Sequence, residues 1–190
     1  MLMHMLQQGG LPLCVDNIRA PDIDNPRGYF EYESVRTLQQ DSSFIGAASG
    51  KAIKVVSHLL QALPSEFDYR VIFLERDLYE ILGSQKKMMA RLHAVSSTPT
   101  TSGAAATDLE SDVSLCKRHL TWISDWLRRQ PNMETLYLAH SEVLRDPSEA
   151  ACRVCKFLGI PLDEDRMARA VDTTLYRTKE TAAPSAAYNC

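Results

Sequence analysis

Long apolar runs are missing from this sequence, and their absence limits what the protein can be. No stretch approaches the roughly 20 apolar residues that a membrane-spanning helix requires. The opening residues, 1–6, are too few and lack the basic start of a secretory signal peptide. The sequence therefore predicts a cytoplasmic protein that neither crosses nor binds a membrane.

Two further features are scarce: paired cysteines and surplus positive charge. The five cysteines are odd in number and scattered, which argues against a disulfide framework and favours a reducing cytoplasm. Cys152 and Cys155 lie inside a predicted helix, with no second pair at zinc spacing, so we expect no metal site. The net charge of −3 gives no reason to expect a nucleic-acid partner. Any bound anion must be held by a local cluster of cations.

The most informative stretch is residues 68–92, where one apolar period changes directly into another. Residues 69–75 form a short apolar run rich in β-formers, which indicates a buried strand. From Leu78 the apolar residues recur at helical spacing, with polar residues on the opposite face. A strand that continues directly into an amphipathic helix is the unit from which parallel α/β sheets are built.

Arg76 stands where that strand ends, and Ser84 lies two turns along the polar face of the helix. Ligands of open α/β sheets bind beyond the carboxyl ends of the strands, near helix N-termini that favour anions. Arg76 and Ser84 are therefore candidate phosphate ligands. The structural alternative is that Arg76 pairs with a nearby acid and Ser84 is a solvated helix residue.

The rest of the chain repeats the alternation of strand and helix. Strands are predicted at 51–57 and 135–140, and a helix at 31–40. A long helix follows the capping box Thr107-x-x-Glu110 and ends before Pro131. The last helices are predicted over 146–158, after the N-cap Asp146, and over 163–171. This order predicts an α/β fold with a parallel central sheet flanked by helices, in a single domain over 1–180. We expect a flexible insertion loop at 93–106 and a disordered tail at 181–190.

Three segments, in this order, resemble sulfotransferases that use 3′-phosphoadenosine 5′-phosphosulfate (PAPS) as donor. They are Asn25-Pro-Arg-Gly-Tyr-Phe-Glu31, the pair Arg76 and Ser84, and the stretch from Asp146 to Pro161. The family signature that includes this last stretch begins before Asp146, and His140 stands near its start, where the family has an aromatic residue. The resemblance implies a three-layer fold of the P-loop nucleotide-kinase type. It also implies transfer of a sulfuryl group from PAPS to a hydroxyl or amine, on a small-molecule or glycan acceptor, without a metal.

The resemblance also suggests roles for individual residues. Arg76 and Ser84 would hold the 3′-phosphate, and Arg177, in a basic segment near the C-terminus, could reach a phosphate or remain solvated. Lys54 and His58 loosely match a Lys-Thr-His motif, with two extra residues between them. Lys54 would stabilise charge on the leaving group.

The candidate bases are Asp24, Glu31 and His58, because the acceptor hydroxyl must lose a proton as it attacks sulfur. Glu31 and Glu33 have an equally simple structural explanation as residues that complement a helix dipole.

One family element is missing: a strand and a phosphate loop of the type Pro-Arg-Ser-Gly-Thr, expected just before the first helix. We expect the chain to be a fragment or to have a misassigned start, and the alternative is loss of half the donor site. A non-catalytic binding or assembly module and a phosphotransferase of the related kinase fold are therefore the rival functions.

Overall fold

The computed structural model describes residues 1–16, 18–22, 25–95 and 109–172, and within 87–95 it describes the backbone alone. Asp24, Arg177 and the predicted tail at 181–190 lie outside these residues. None of the helices in the described ranges is both long enough and apolar enough to cross a bilayer.

The described chain is a mixed α/β structure in which helices precede and follow each strand in the sequence. The two strands that pair are β1 (Tyr69–Glu75) and β2 (Met133–Ala139). The α-helices in the described ranges are α1 (Leu2–Gln8), α2 (Leu78–Val95), α3 (Leu109–Leu127), α4 (His140–Arg145), α5 (Pro147–Leu158) and α6 (Glu164–Arg169). Three 3-10 turns lie between α1 and β1, at Glu33–Thr37, Ser43–Ala48 and Ser57–Ala62.

The two strands are parallel and in register over their full length. Tyr69 pairs with Met133, and Glu75 with Ala139. The strand predicted at 69–75 is confirmed, although its apolar side chains are half-buried rather than fully buried. The strand predicted at 135–140 begins two residues earlier and stops at Ala139, so that His140 becomes the first residue of α4.

Local capping explains where α5 and α6 begin and end. The carboxylate of Asp146 accepts a hydrogen bond from the Glu149 backbone N–H at 3.0 Å, and Pro147 occupies the first turn. Gly159 ends α5 at φ 66°, a left-handed conformation that glycine adopts without the clash of a Cβ. Asp163 then caps α6 in the same way, accepting from the Arg166 N–H at 2.9 Å. The helix boundaries predicted here are confirmed to within a few residues.

The apolar interior is divided into three clusters. The largest lies where α1, α5 and α6 pack on β2, and it includes Met5, Leu138, Val154 and Met167, each 0% exposed. A second cluster of four buried residues lies among the 3-10 turns: Val35, Leu38, Ile45 and Leu59. A third joins α3 to β1 and β2 through Ile123 and Leu127.

The predicted strand at 51–57 does not form. Ala52 makes one parallel bridge to Leu13, and a 3-10 turn begins at Ser57. The pairing cannot extend backward, because Pro12 has no N–H to donate. It does not extend forward either, because the N–H of Asp16 donates to the Glu31 carbonyl instead, at 3.3 Å.

Other predicted elements differ in length or exposure. The helix expected at 31–40 is a single 3-10 turn, Glu33–Thr37, whose first N–H is held by the Asp16 carboxylate. Helix α2 continues to Val95, three residues into the predicted insertion loop, and the rest of that loop lies outside the described residues. Trp126 packs on the third cluster, whereas Trp122 remains 45% exposed.

Candidate functional site

The carboxyl ends of β1 and β2 lie side by side, because Glu75 and Ala139 are paired in the parallel register. The next residue of each strand is therefore at the same edge of the sheet: Arg76 after β1 and His140 after β2. Both strands continue at once into helices, α2 and α4. Asp77 fixes the first of these turns by accepting a hydrogen bond from the Glu80 N–H at 3.0 Å.

Between these two strand ends lies a cleft of about 180 Å³. It is lined by Glu75, Arg76, Asp77, Glu80, Ala139, His140 and Ser141. The Arg76 side chain is 30% exposed, and its Nε donates to Glu80 Oε2 at 3.1 Å. The guanidinium is thus anchored along the wall of the cleft by a carboxylate one turn up the helix. Such a pairing with a nearby acid was the structural alternative for Arg76 in the sequence analysis. Arg76 makes this contact and still lines the cleft.

His140 is half-buried in this cleft, and burial lowers its pKa below the ordinary value. The positive charge of Arg76 lowers the pKa of His140 further, while the negative charge of Glu80 acts in the opposite direction. The imidazole is therefore neutral at neutral pH.

Ser84 does not line the cleft. It is exposed, and it lies one turn beyond Glu80 on the helix face that carries the contact between Glu80 and Arg76. The structure thus places Arg76 and Ser84 on one face of the same strand–helix unit, with Glu80 between them. The side chain that shares the cleft with Arg76 is His140.

Lys54 and Glu31 come together away from this cleft. Lys54 Nζ lies 3.1 Å from Glu31 Oε1 and donates to the Tyr29 carbonyl at 3.0 Å. Arg19 approaches the same carboxylate at 3.7 Å. Glu31 therefore does not cap a helix, and it forms an ion pair with a lysine that was predicted from a different segment.

His58 is exposed on the 3-10 turn Ser57–Ala62 and does not line the Arg76 cleft. Glu33 is also exposed, and it pairs with Arg36 at 3.2 Å. Of the candidate bases in the described residues, Glu31 is the one held beside Lys54.

Phe30, next to Glu31 in the chain, has φ 52°, which is strained for a residue with a side chain. Such strain is often found beside ligand sites.

A larger concave surface of about 440 Å³ lies between α1 and α6, and none of the predicted site residues in the described ranges lines it. It is lined by His4, Gln8, Arg166, Arg169 and Ala170. Both arginines lie in the last turn of α6, where positive charge complements the helix dipole. The helix dipole accounts for this basic surface without a ligand.

Sequence reasoning missed His140 as a site residue and treated it as the loss of an aromatic. One available signal would have found it. His140 follows β2 as directly as Arg76 follows β1, and parallel strands bring their carboxyl ends to one edge. Arg27 was also missed, and its contacts with the Ala170 carbonyl at 2.6 Å and Asp172 at 2.7 Å depend on distant parts of the chain.

Many α/β proteins bind ligands at the carboxyl edge of a parallel sheet, and at that edge this chain carries a cation, Arg76, and a histidine, His140. Residues 35–186, which are well over half of the chain, match the sulfotransferase domain family. The chain belongs to the sulfotransferase family. Among curated proteins and solved structures, none matches it.

Proposed function

We propose that this protein transfers a sulfuryl group from PAPS to a hydroxyl or amine of a small-molecule or glycan acceptor, within a three-layer fold of the P-loop type. The observation that supports this most strongly is the position of Arg76, at the carboxyl edge of a parallel sheet, in a chain whose residues 35–186 match the sulfotransferase domain. A guanidinium at such an edge can donate two hydrogen bonds to one phosphate group.

The size of the Arg76 cleft fits part of the donor. Ligand pockets that enclose a whole small molecule occupy about 300–1,000 Å³, more than the ≈ 180 Å³ measured here. The cleft therefore suits a single phosphate group, with the nucleoside lying across the sheet edge. Arg76 would hold the 3′-phosphate, Ser84 would approach it from α2, one turn beyond Glu80, and Arg177 remains a further candidate.

The transfer step makes specific demands on the other group of residues. A bond forms from the acceptor oxygen or nitrogen to sulfur, and the bond from sulfur to the bridging phosphate oxygen breaks. Adenosine 3′,5′-bisphosphate leaves, and the acceptor proton passes to a base. Lys54 would stabilise charge on the bridging oxygen, and Glu31, Asp24 or His58 would take the proton. Lys54 and Glu31 already lie together at 3.1 Å, and so a cation and a base are available at one place.

Titration calorimetry with adenosine 3′,5′-bisphosphate tests the donor site. We expect wild type to bind and Arg76→Ala to bind about 10- to 150-fold more weakly, because a hydrogen bond to a charged group contributes about 1.5–3 kcal/mol. Arg70→Ala is the matched control, since Arg70 lies at the far end of β1 and pairs with Glu134. Equal binding by Arg76→Ala and wild type would exclude this site.

Transfer of labelled sulfate from PAPS to a panel of hydroxyl and amine acceptors separates the rival functions. Nucleotide binding without transfer to any acceptor would identify a binding module. Transfer of phosphate from ATP would identify a phosphotransferase. The coding sequence just upstream of Met1 gives a second discrimination: Pro-Arg-Ser-Gly-Thr favours sulfuryl transfer, and Gly-Lys-Ser/Thr favours a kinase.

A further inference from the structure

The charges around the Arg76 cleft are poorly suited to an incoming dianion. Among the described residues, the lining contains one guanidinium, Arg76, and three carboxylates, Glu75, Asp77 and Glu80. The carboxylate of Glu80 already contacts Arg76 at 3.1 Å. A phosphate monoester brings up to two further negative charges at neutral pH. Of the described lining residues Arg76 alone carries a permanent positive charge, and the hydroxyl of Ser84 adds none.

His140 is the one other titratable side chain that lines the cleft within the described residues. It enters from the end of β2, opposite the β1–α2 turn that carries Arg76 and the three carboxylates. An imidazole can gain a proton near neutral pH, and the protonated ring donates hydrogen bonds from both nitrogens.

We propose that His140 is a further ligand of the phosphate group that Arg76 holds in this cleft, and that it takes up a proton when that phosphate binds. The inference rests on the proposed function, since it concerns the 3′-phosphate of the same donor nucleotide. It assigns a role to the residue that stands in place of the aromatic residue of related sequences.

The surroundings of His140 favour this exchange of charge. Burial and the positive charge of Arg76 hold the pKa of His140 below its ordinary value. Glu80 on α2 opposes them, Glu75 and Asp77 face the same cleft, and Ser141 beside it carries no charge. A phosphate dianion at hydrogen-bond distance acts in the direction of Glu80, and more strongly, so it raises the pKa of the imidazole. His140 is thus neutral in the empty cleft and cationic in the occupied one.

The sign of the pH dependence follows. Between the lower pKa of the empty site and the higher pKa of the occupied site, binding takes up a proton, and affinity increases as pH falls. For one proton the change is about tenfold per pH unit. The phosphate itself has a second pKa of about 6, and binding as the dianion releases a proton, which is the opposite sign. A variant that removes the His140 contribution alone is therefore required.

Calorimetry in two buffers of different ionisation enthalpy measures the number of protons exchanged. We expect wild type to take up as much as one proton more than His140→Gln on binding adenosine 3′,5′-bisphosphate near neutral pH. His140→Gln should bind about tenfold more weakly at slightly acidic pH, where a charged hydrogen bond is replaced by a neutral one. Adenosine 5′-monophosphate, which lacks the 3′-phosphate, should show no uptake that depends on His140.

The possible outcomes separate the two proposals. Equal proton numbers and equal affinities in wild type and His140→Gln would overturn the role of His140 and leave the donor site intact. Failure of wild type to bind the bisphosphate would overturn both. A measurement on wild type alone tests the inference even if the His140→Gln variant folds poorly. The nuclear magnetic resonance titration of the His140 ring should move to higher pH when the bisphosphate is added, and an unchanged midpoint would contradict the inference.

Discussion

The segment from β2 to α6 (residues 133–172) and the turn-rich segment (residues 25–63) are held together in different ways. In the β2–α6 segment, α5 and α6 each begin at a side-chain cap within one turn, where Asp146 accepts from Glu149 and Asp163 from Arg166. In the turn-rich segment the contacts come from far along the chain. Lys54 reaches Tyr29 and Glu31, and Arg27 reaches Asp172. The first segment is specified locally, whereas the second depends on the rest of the chain being in place.

The burial of apolar residues differs in the same way. The cluster on β2 contains ten buried residues, which come from α1, β2, α4, α5, α6 and Ala170 just after α6. The cluster among the 3-10 turns contains four. A larger cluster of regular elements is less able to collapse around a missing side chain. The cost of a cavity should therefore differ between the two segments, even for identical substitutions.

Replacing Leu138 or Leu38 with alanine gives the largest expected effect and tests this difference directly. Leu138 is 0% exposed and Leu38 is 2% exposed, so the two changes remove similar apolar contacts. Leu→Ala in a core costs about 2–5 kcal/mol in the free energy of unfolding. We expect Leu138→Ala near the upper limit and Leu38→Ala near the lower, measured by denaturant unfolding. Equal losses would show that the turn-rich segment is packed as rigidly as the helices.

Gly9→Ala tests how closely α1 and α6 approach. A Cβ at Gly9 would lie 2.6 Å from Met167 Cγ and 2.8 Å from its Sδ, and Met167 is 0% exposed. Because Gly9 has φ −71°, alanine fits its backbone and the cost is steric alone. Overpacking of this kind costs about 1–3 kcal/mol in the free energy of unfolding.

Gly83→Ala is the control for that change. Gly83 lies inside α2, and a Cβ there meets nothing within 4 Å. Alanine should stabilise this helix by about 1 kcal/mol relative to glycine. If thermal or denaturant unfolding shows the two substitutions to have the same sign, the contact between Gly9 and Met167 is not tight.

Lys54→Met gives the smallest expected effect and is compared with Arg153→Met. Each cation bonds a carboxylate and a backbone carbonyl: Lys54 contacts Glu31 and Tyr29, and Arg153 contacts Glu142 and Tyr137. Such exposed pairs contribute about 0.2–1 kcal/mol, and less at high salt.

Both variants should therefore unfold close to wild type. Lys54→Met alone should speed hydrogen exchange of the backbone around residues 29–31, since no regular element holds that loop. A loss of about 2 kcal/mol in Lys54→Met would mean that this pair stabilises the whole fold rather than one loop, since 2 kcal/mol is a large share of total stability.

The same division explains what could be predicted from the sequence. Helix ends at Asp146, Gly159 and Asp163 were predictable because the capping residue and the helix it caps are neighbours in the chain. The prediction of a strand at 51–57 was wrong because its partner segment, 11–16, makes one bridge to it and then hydrogen-bonds to Glu31. The local composition of 51–57 does not indicate where segment 11–16 forms its hydrogen bonds.

The candidate site shows the same limit. Arg76 could be placed at the sheet edge from the change of period at residues 76–78 alone. The partners of Arg76 could not, because His140 reaches the cleft through pairing between strands that begin 64 residues apart. Ser84, eight residues along the helix, was predicted from spacing, yet Glu80 lies between it and the guanidinium.

The contact between α1 and α6 has a consequence for biosynthesis. Met5 and Leu6 complete the same cluster as Met167, and the Asp163 N–H donates to the Gly9 carbonyl at 3.1 Å. More than 150 residues are synthesised between α1 and α6. During that time α6 cannot yet cover the apolar side of α1. Contacts of such long sequence separation form slowly, and exposed apolar surface promotes aggregation in the meantime. Nascent chains stalled before residue 163 should therefore bind chaperones through their first eight residues and lose that binding once α6 is available.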